Sequence, residues 1–178
     1  MTTEERIAAL EKRIQEQEDI QDIIRLARAY ATTADGGWAA HNNGKTHNGE
    51  LFSELFAEDG VWDASDFCGR FEGKEAIKNA INGFQIMPKQ MHYLCNPDIR
   101  INPDGVTATG DWHVCTPGTH PDGSNKLCFA YYHNTYVKDP VKGWLFKEVK
   151  IESAYSGNLG EIPFKWEGLA SDAIVVDA

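Results

Sequence analysis

The chain reads as an α+β domain, a curved antiparallel sheet wrapped around a long N-terminal helix to make a cone. Three observations predict this. Apolar residues recur at helical spacing through the first 34 residues. Four long β-type segments, separated by turn signals, follow from residue 92 to residue 155. A length of 178 residues suits one core, so residues 1–178 are read as a single domain, with 1–34 the long helix and 157–178 a C-terminal tail.

The helix spans residues 2–34. Thr2 and Glu5 fit a capping box, and Ile7, Leu10, Ile14, Ile20, Ile23, Ile24, Ala27 and Tyr30 recur near helical spacing. Its first half is the more charged and reads as a segment that projects and packs on a neighbouring subunit. Asp35-Gly36-Gly37 ends the helix, with glycine supplying the cap. A polar loop over residues 41–49 follows. Asn48 then caps a short helix whose inner face holds Leu51, Phe52, Leu55 and Phe56. Two short strands, VWDAS and FCGRFEG, precede an amphipathic helix over residues 74–84 carrying Ile77, Ala80, Ile81 and Phe84. The four long segments are HYLCNPDIRI, VTATGDWHVCT, KLCFAYYHNTYV and WLFKEVKIESAY. Asn102-Pro103-Asp104-Gly105, PGTHPDGSN and KDPVKG are the turns between them, which predicts an antiparallel meander. The tail carries Ile162, Phe164 and Trp166, a composition that suits packing over a pocket mouth.

Composition narrows the function classes. Hydrophobic residues make up 42% and aromatic residues 11%, as in a globular protein. The net charge of -10, from 27 acidic and 17 basic residues, disfavours phosphate backbones and anionic lipid, so neither nucleic acid nor membrane is expected as a partner. No apolar run is long enough to span a bilayer, and the polar start is no secretory signal. Cys68, Cys95, Cys115 and Cys128 lack CxxC spacing and read as free thiols in a reducing cytoplasm. His41 and His47 flank the polar loop, but no metal-ligand spacing, dinucleotide fingerprint, P-loop or GxSxG is present. No metal or cofactor is therefore expected.

Three residues are candidates for chemistry. Asp35 sits at the end of a helix, where partial negative charge disfavours a carboxylate unless something compensates. His92 begins the first long segment and would be such compensation. If the two meet, the carboxylate fixes the imidazole tautomer and raises its basicity, as a general base requires. Tyr30, on the apolar stripe of the helix, supplies a hydroxyl donor. In the second long segment Trp112, Val114 and Thr116 share a face opposite Asp111, His113 and Cys115. In the third, Phe129, Tyr131 and His133 oppose Tyr132, Asn134 and Tyr136. Trp112, Thr116, Tyr131 and His133 are the candidate substrate contacts.

At these residues the sequence resembles the SnoaL-like branch of the nuclear-transport-factor-like superfamily, with dehydratases of the bile-acid and scytalone type and hexachlorocyclohexane dehydrochlorinase as kin. The resemblance runs from about residue 4 to about residue 156. It rests on EERIAALEKRIQEQEDIQDIIRLARAY, on Tyr30 with Asp35, on Met91-His92 with Pro97, and on TATGDW and GWLFKE. It implies a cone fold, a homotrimer or homodimer, and cofactor-free chemistry on a small apolar hydroxylated ring compound. It implies His92 as the base, Asp35 as its orienting carboxylate and Tyr30 as a substrate donor. The reaction implied is a lyase step that eliminates water or a small fragment such as formaldehyde. Isomerases, cyclases and non-catalytic binding modules share the superfamily. The sequence departs from the bile-acid type at Thr116, where that type has an Asp, and near Ser153, where it has an Arg.

Overall fold

Helix α1 (Thr3–Ala34) starts on the expected capping box. The Thr2 hydroxyl accepts from the Glu5 N–H at 3.1 Å, and the Glu5 carboxylate accepts from the Thr2 N–H at 2.6 Å. The computed structural model describes residues 1–35, 48–83, 89–120 and 122–158. After α1 come α2 (Gly49–Ser53), β1 (Phe56–Ala64), β2 (Gly69–Glu72), α3 (Lys74–Gly83), β3 (Lys89–Gln90), β4 (Tyr93–Ile101), β5 (Thr107–Thr119), β6 (Asn125–Asp139) and β7 (Gly143–Asn158). The expected glycine cap at Gly36-Gly37, most of the 41–49 loop, His41, His47, Phe84 and the tail residues Ile162, Phe164 and Trp166 lie outside the described residues.

The strands form one curved open sheet in the order β2-β1-β7-β6-β5, with β3 and β4 both pairing to β5. These two are halves of one edge strand, so the sheet is six positions wide. β4 to β7 form the expected antiparallel meander. The expectation of a wholly antiparallel sheet is corrected at β1, which runs parallel to β7. The chain passes through α3 and three further strand positions before β7 returns beside β1, so no hairpin dictates the direction of that pair.

Local differences have local reasons. The segment GELFSELFAED, read as a helix over residues 49–59, stops being helical at Ser53, because Phe56 already pairs with Phe146 and the Leu55 carbonyl accepts from the Phe146 N–H at 2.9 Å. Phe52 and Phe56 are buried, whereas Leu51 is exposed. Edge strand β4 is interrupted between Cys95 and Asp98. Asn96 there takes φ 51°, and Pro97 needs no ladder partner for a missing N–H. The turn at Asn102–Thr107 closes as its sequence suggests, with Gly105 at φ 69° and its N–H on the Asn102 carbonyl at 2.9 Å.

The concave side of the sheet and α1 share the core. Ile23, Leu26, Ala27 and Tyr30 of the helix meet Trp112, Tyr132, Phe146 and Val149 of the sheet. The helix therefore carries two apolar faces. Its second half buries one against the sheet, while Ile7, Leu10 and Ile14 of its first half stay exposed. Where the helix meets the sheet, Asp19 is 3% exposed. Its Oδ1 accepts from Lys138 Nζ at 2.6 Å, Trp144 Nε1 at 3.0 Å and Gln15 Nε2 at 3.4 Å. Burial disfavours the charged carboxylate, but the Lys138 and Trp144 hydrogen bonds outweigh it and hold Asp19 below the usual carboxylate range.

Replacing Asp19 by Ala strands these donors and should cost about 1–3 kcal/mol of stability, read as a lower urea midpoint with unchanged slope. Because the folded pKa is depressed, the wild-type advantage should be complete above about pH 5 and shrink as the pH falls below about 4.

Candidate functional site

The interruption between β3 and β4 creates the site. Gln90 is in register with Gly118, and Tyr93 with Cys115, while the Met91 N–H still reaches the Pro117 carbonyl at 3.1 Å. His92 leaves the ladder. Its backbone N–H donates to Asp35 Oδ1 at 2.8 Å, and its ring Nδ1 lies 2.8 Å from the same oxygen. His92 therefore stands in a gap between strands, not at the start of a strand as expected.

Asp35 ends α1. It takes an extended backbone (φ -68°, ψ 124°), and its N–H still bonds the Ala31 carbonyl at 2.9 Å. Gln90 Nε2 donates to the neighbouring Ala34 carbonyl at 3.0 Å, which satisfies one of the acceptors a helix end exposes. A carboxylate at this end of a helix is electrostatically disfavoured, and two donors from His92 offset that. Both side chains are largely withdrawn from water, at 8% exposure for Asp35 and 10% for His92. A carboxylate only accepts, so Nδ1 carries the hydrogen and Nε2 is the basic ring nitrogen.

His92 opens onto a cavity of about 320 Å³. Tyr30, Trp62, Phe67, Ile81, Tyr132 and Ile151 give it mainly apolar walls. The Tyr30 oxygen accepts from Trp62 Nε1 at 3.1 Å and is hydrogen-bonded to the Tyr132 hydroxyl. The Tyr30 ring meets the His92 ring edge-on, with centroids 6.1 Å apart. Burial is the main cause that raises the pKa of both phenols, so each stays a protonated hydroxyl at neutral pH.

Strand register explains the rest of the lining. Thr116, Cys128 and Ser156 form one inward row across β5, β6 and β7, level with His92. Two residues further along, Gly118, Lys126 and Asn158 form the next row, with Lys126 Nζ on Asn158 Oδ1 at 2.6 Å. Strand rise separates the two rows by roughly 7 Å. The cavity thus has an apolar depth and a polar end that includes Lys126 and His120. Burial pushes the Cys128 thiol up to about 11 and also raises Cys68, so neither wall cysteine is a thiolate at neutral pH. All four cysteines are free. Among the described residues, no cluster of histidine, cysteine and acidic side chains is arranged to hold a metal ion.

The structure thus brings together Tyr30, Asp35, His92 and Thr116. Two candidate contacts are corrected outright. Tyr131 and His133 point to the outer face of the sheet, where Tyr131 is 43% exposed and His133 bonds Asp111 at 2.7 Å. The inner face of β6 is instead Ala130, Tyr132, Asn134 and Tyr136. Trp112 does face inward, but it lies in the core, donating to the Tyr136 hydroxyl at 3.0 Å, and does not line the cavity. Sequence reasoning missed Tyr132, Lys126, His120, Cys128 and Trp62 as wall residues. No local signal gave the phase of β6, because aromatic and polar residues stand on both of its faces.

A helix-filled, open curved sheet with a cavity of this kind defines the nuclear-transport-factor-2-like cone. A family model of the SnoaL-like domain matches residues 15–150, and the chain belongs to that family. No match to a curated protein is found. Among solved structures, the chain is similar to a type 2 hexachlorocyclohexane dehydrochlorinase, at 19% identity and TM-score 0.67, covering 88% of this chain and 97% of that one. A scytalone-dehydratase-like protein from Novosphingobium aromaticivorans matches at 19% identity and TM-score 0.67, covering 81% and 89%. An NTF2-like protein with a cystatin-like fold, from the same organism, matches at 22% identity and TM-score 0.63, covering 83% and 88%. At these identities the likeness establishes the fold. No described helix is long and apolar enough to cross a membrane.

Tyr30→Phe removes the oxygen that receives the Trp62 and Tyr132 hydrogen bonds. It should cost about 1–3 kcal/mol in chemical denaturation, more than the loss of an exposed tyrosine hydroxyl would.

Proposed function

We propose that the protein is a cofactor-independent lyase in which His92 is the general base. The observation that carries this reading is the shared Asp35 oxygen, 2.8 Å from both the His92 backbone nitrogen and Nδ1, on the wall of a mostly apolar cavity. Asp35 fixes the tautomer and stabilises the imidazolium that forms when Nε2 takes a proton. Tyr30 already accepts from Trp62 and bonds Tyr132, so its own hydrogen is the one to offer a substrate oxygen.

In an elimination of water, His92 removes a proton from carbon and that bonding pair becomes the new double bond. The neighbouring C–O bond breaks, and the departing oxygen takes a proton from an acid such as Tyr30. In the carbon–carbon variant His92 takes the proton of a hydroxyl, the oxygen pair forms C=O, formaldehyde leaves as the C–C bond breaks, and the C–C pair stays on the remaining carbon, which takes up the proton that His92 returns. The cavity volume and walls suit a small hydroxylated ring compound, aromatic or alicyclic. The dehydrochlorinase and dehydratase names among the structural relatives belong to the same reaction type and support the proposal.

The test is incubation with panels of hydroxylated aromatic and steroid-like compounds, followed by mass spectrometry for loss of water or formaldehyde. His92→Ala should lower turnover by roughly two to four orders of magnitude, and Asp35→Asn should lower it as well. A product of unchanged mass would instead identify an isomerase or cyclase. Function that survives His92→Ala intact would identify a binding module.

A further inference from the structure

The first four turns of α1 carry an apolar stripe that stays out of the core formed by the described residues. Ile7, Leu10 and Ile14 are 51%, 54% and 59% exposed. The face that docks on the sheet is built from Asp19, Ile23, Leu26, Ala27 and Tyr30. At ~100° per residue the exposed stripe points nearly opposite to that docking face. Among the described residues, the domain therefore lies behind the stripe and leaves it open to a partner.

The spacing of the stripe is that of a heptad. Ile7 and Ile14 occupy position a, while Thr3, Leu10 and Gln17 occupy position d. The flanking charges are sorted without exception. Arg6 and Arg13 fall at position g, and Glu4, Glu11 and Glu18 at position e. In a parallel pair of such helices each g residue faces the e residue five places on in the other strand. Arg6 then meets Glu11 and Arg13 meets Glu18, each twice by symmetry. An antiparallel pair would set g against g and e against e, arginine on arginine and glutamate on glutamate. The same charges thus favour one orientation and oppose the other.

We propose that residues 3–18 form a parallel two-stranded coiled coil with a second copy of this chain. Isoleucine at both a positions with leucine at the central d position favours two strands. Two heptads are too short to be a stable helix alone, but here the segment continues a helix anchored by the domain and capped by Thr2 and Glu5. It meets its partner preformed, which removes most of the ordering cost. The proposal is independent of the proposed chemistry, since none of these residues lines the cavity around His92.

Sedimentation velocity on the full chain over a range of concentrations tests it. The wild type should self-associate. Leu10→Glu, an exposed helical site that leaves the fold unchanged by circular dichroism, should weaken association by at least about tenfold. Arg6→Glu/Arg13→Glu should dissociate the protein, as should Glu11→Arg/Glu18→Arg, and an equimolar mixture of the two should associate again. In an antiparallel seam the arginine reversal would only exchange one repulsion for another, so its weakening effect reports the parallel orientation. A monomer at every concentration, meaning that another occupant covers the stripe, would overturn the proposal. So would self-association that Leu10→Glu and the arginine reversals leave unchanged.

Discussion

One carboxylate oxygen holds the end of the long helix to the edge of the sheet. Asp35 Oδ1 receives both the backbone and the ring of His92, at a point where the strand facing β5 is broken. The helix terminus would repel that carboxylate, and an edge strand would spend the His92 N–H on its neighbour. Each problem resolves the other. The break frees a donor for the helix end, and the helix end supplies an acceptor for the break. Gln90, immediately before the break, extends the junction by capping the Ala34 carbonyl. This junction sets His92 on the cavity wall.

The interior shows the same rule applied to its three described tryptophans. Trp62 donates to the Tyr30 hydroxyl, Trp112 to the Tyr136 hydroxyl and Trp144 to the Asp19 carboxylate. A buried indole N–H with no acceptor is costly, so each large ring brings an oxygen into the core with it. Burial pushes the Tyr136 phenol up to about 12, keeping it a neutral acceptor. One of these pairs, Trp62 with Tyr30, stands on the cavity wall, so a device that stabilises the core also presents a hydroxyl to the site.

Much of the cone was legible in the chain. The capping box, the amphipathic spacing of α3, the turn at Gly105 and the meander all appear where local chemistry puts them. Asp35 was legible as an acid that needs compensation at a helix end, and the family resemblance supplied His92 as its partner. What misled was phase. Tyr131 and His133 look like site residues by type, yet β6 presents Tyr132 and Asn134 to the interior instead. A strand with aromatic and polar residues on both faces leaves its inward side undecided, since a slip of one residue exchanges every side chain. The parallel β1–β7 pair and the two-residue β3 depend on partners far along the chain, which no local pattern reports.

The sequence by itself determined the elements, because helical and strand periodicity, caps and turns act over a few residues. It also marked the charged first half of α1 as a segment that projects, though not which of its apolar side chains stay uncovered. Tertiary structure decided which face of each strand lines the cavity, where the edge strand breaks, and that Thr116, Cys128 and Ser156 lie level with His92. Those outcomes follow from inter-strand register, and register is settled only when whole strands compete to bury their faces against one helix.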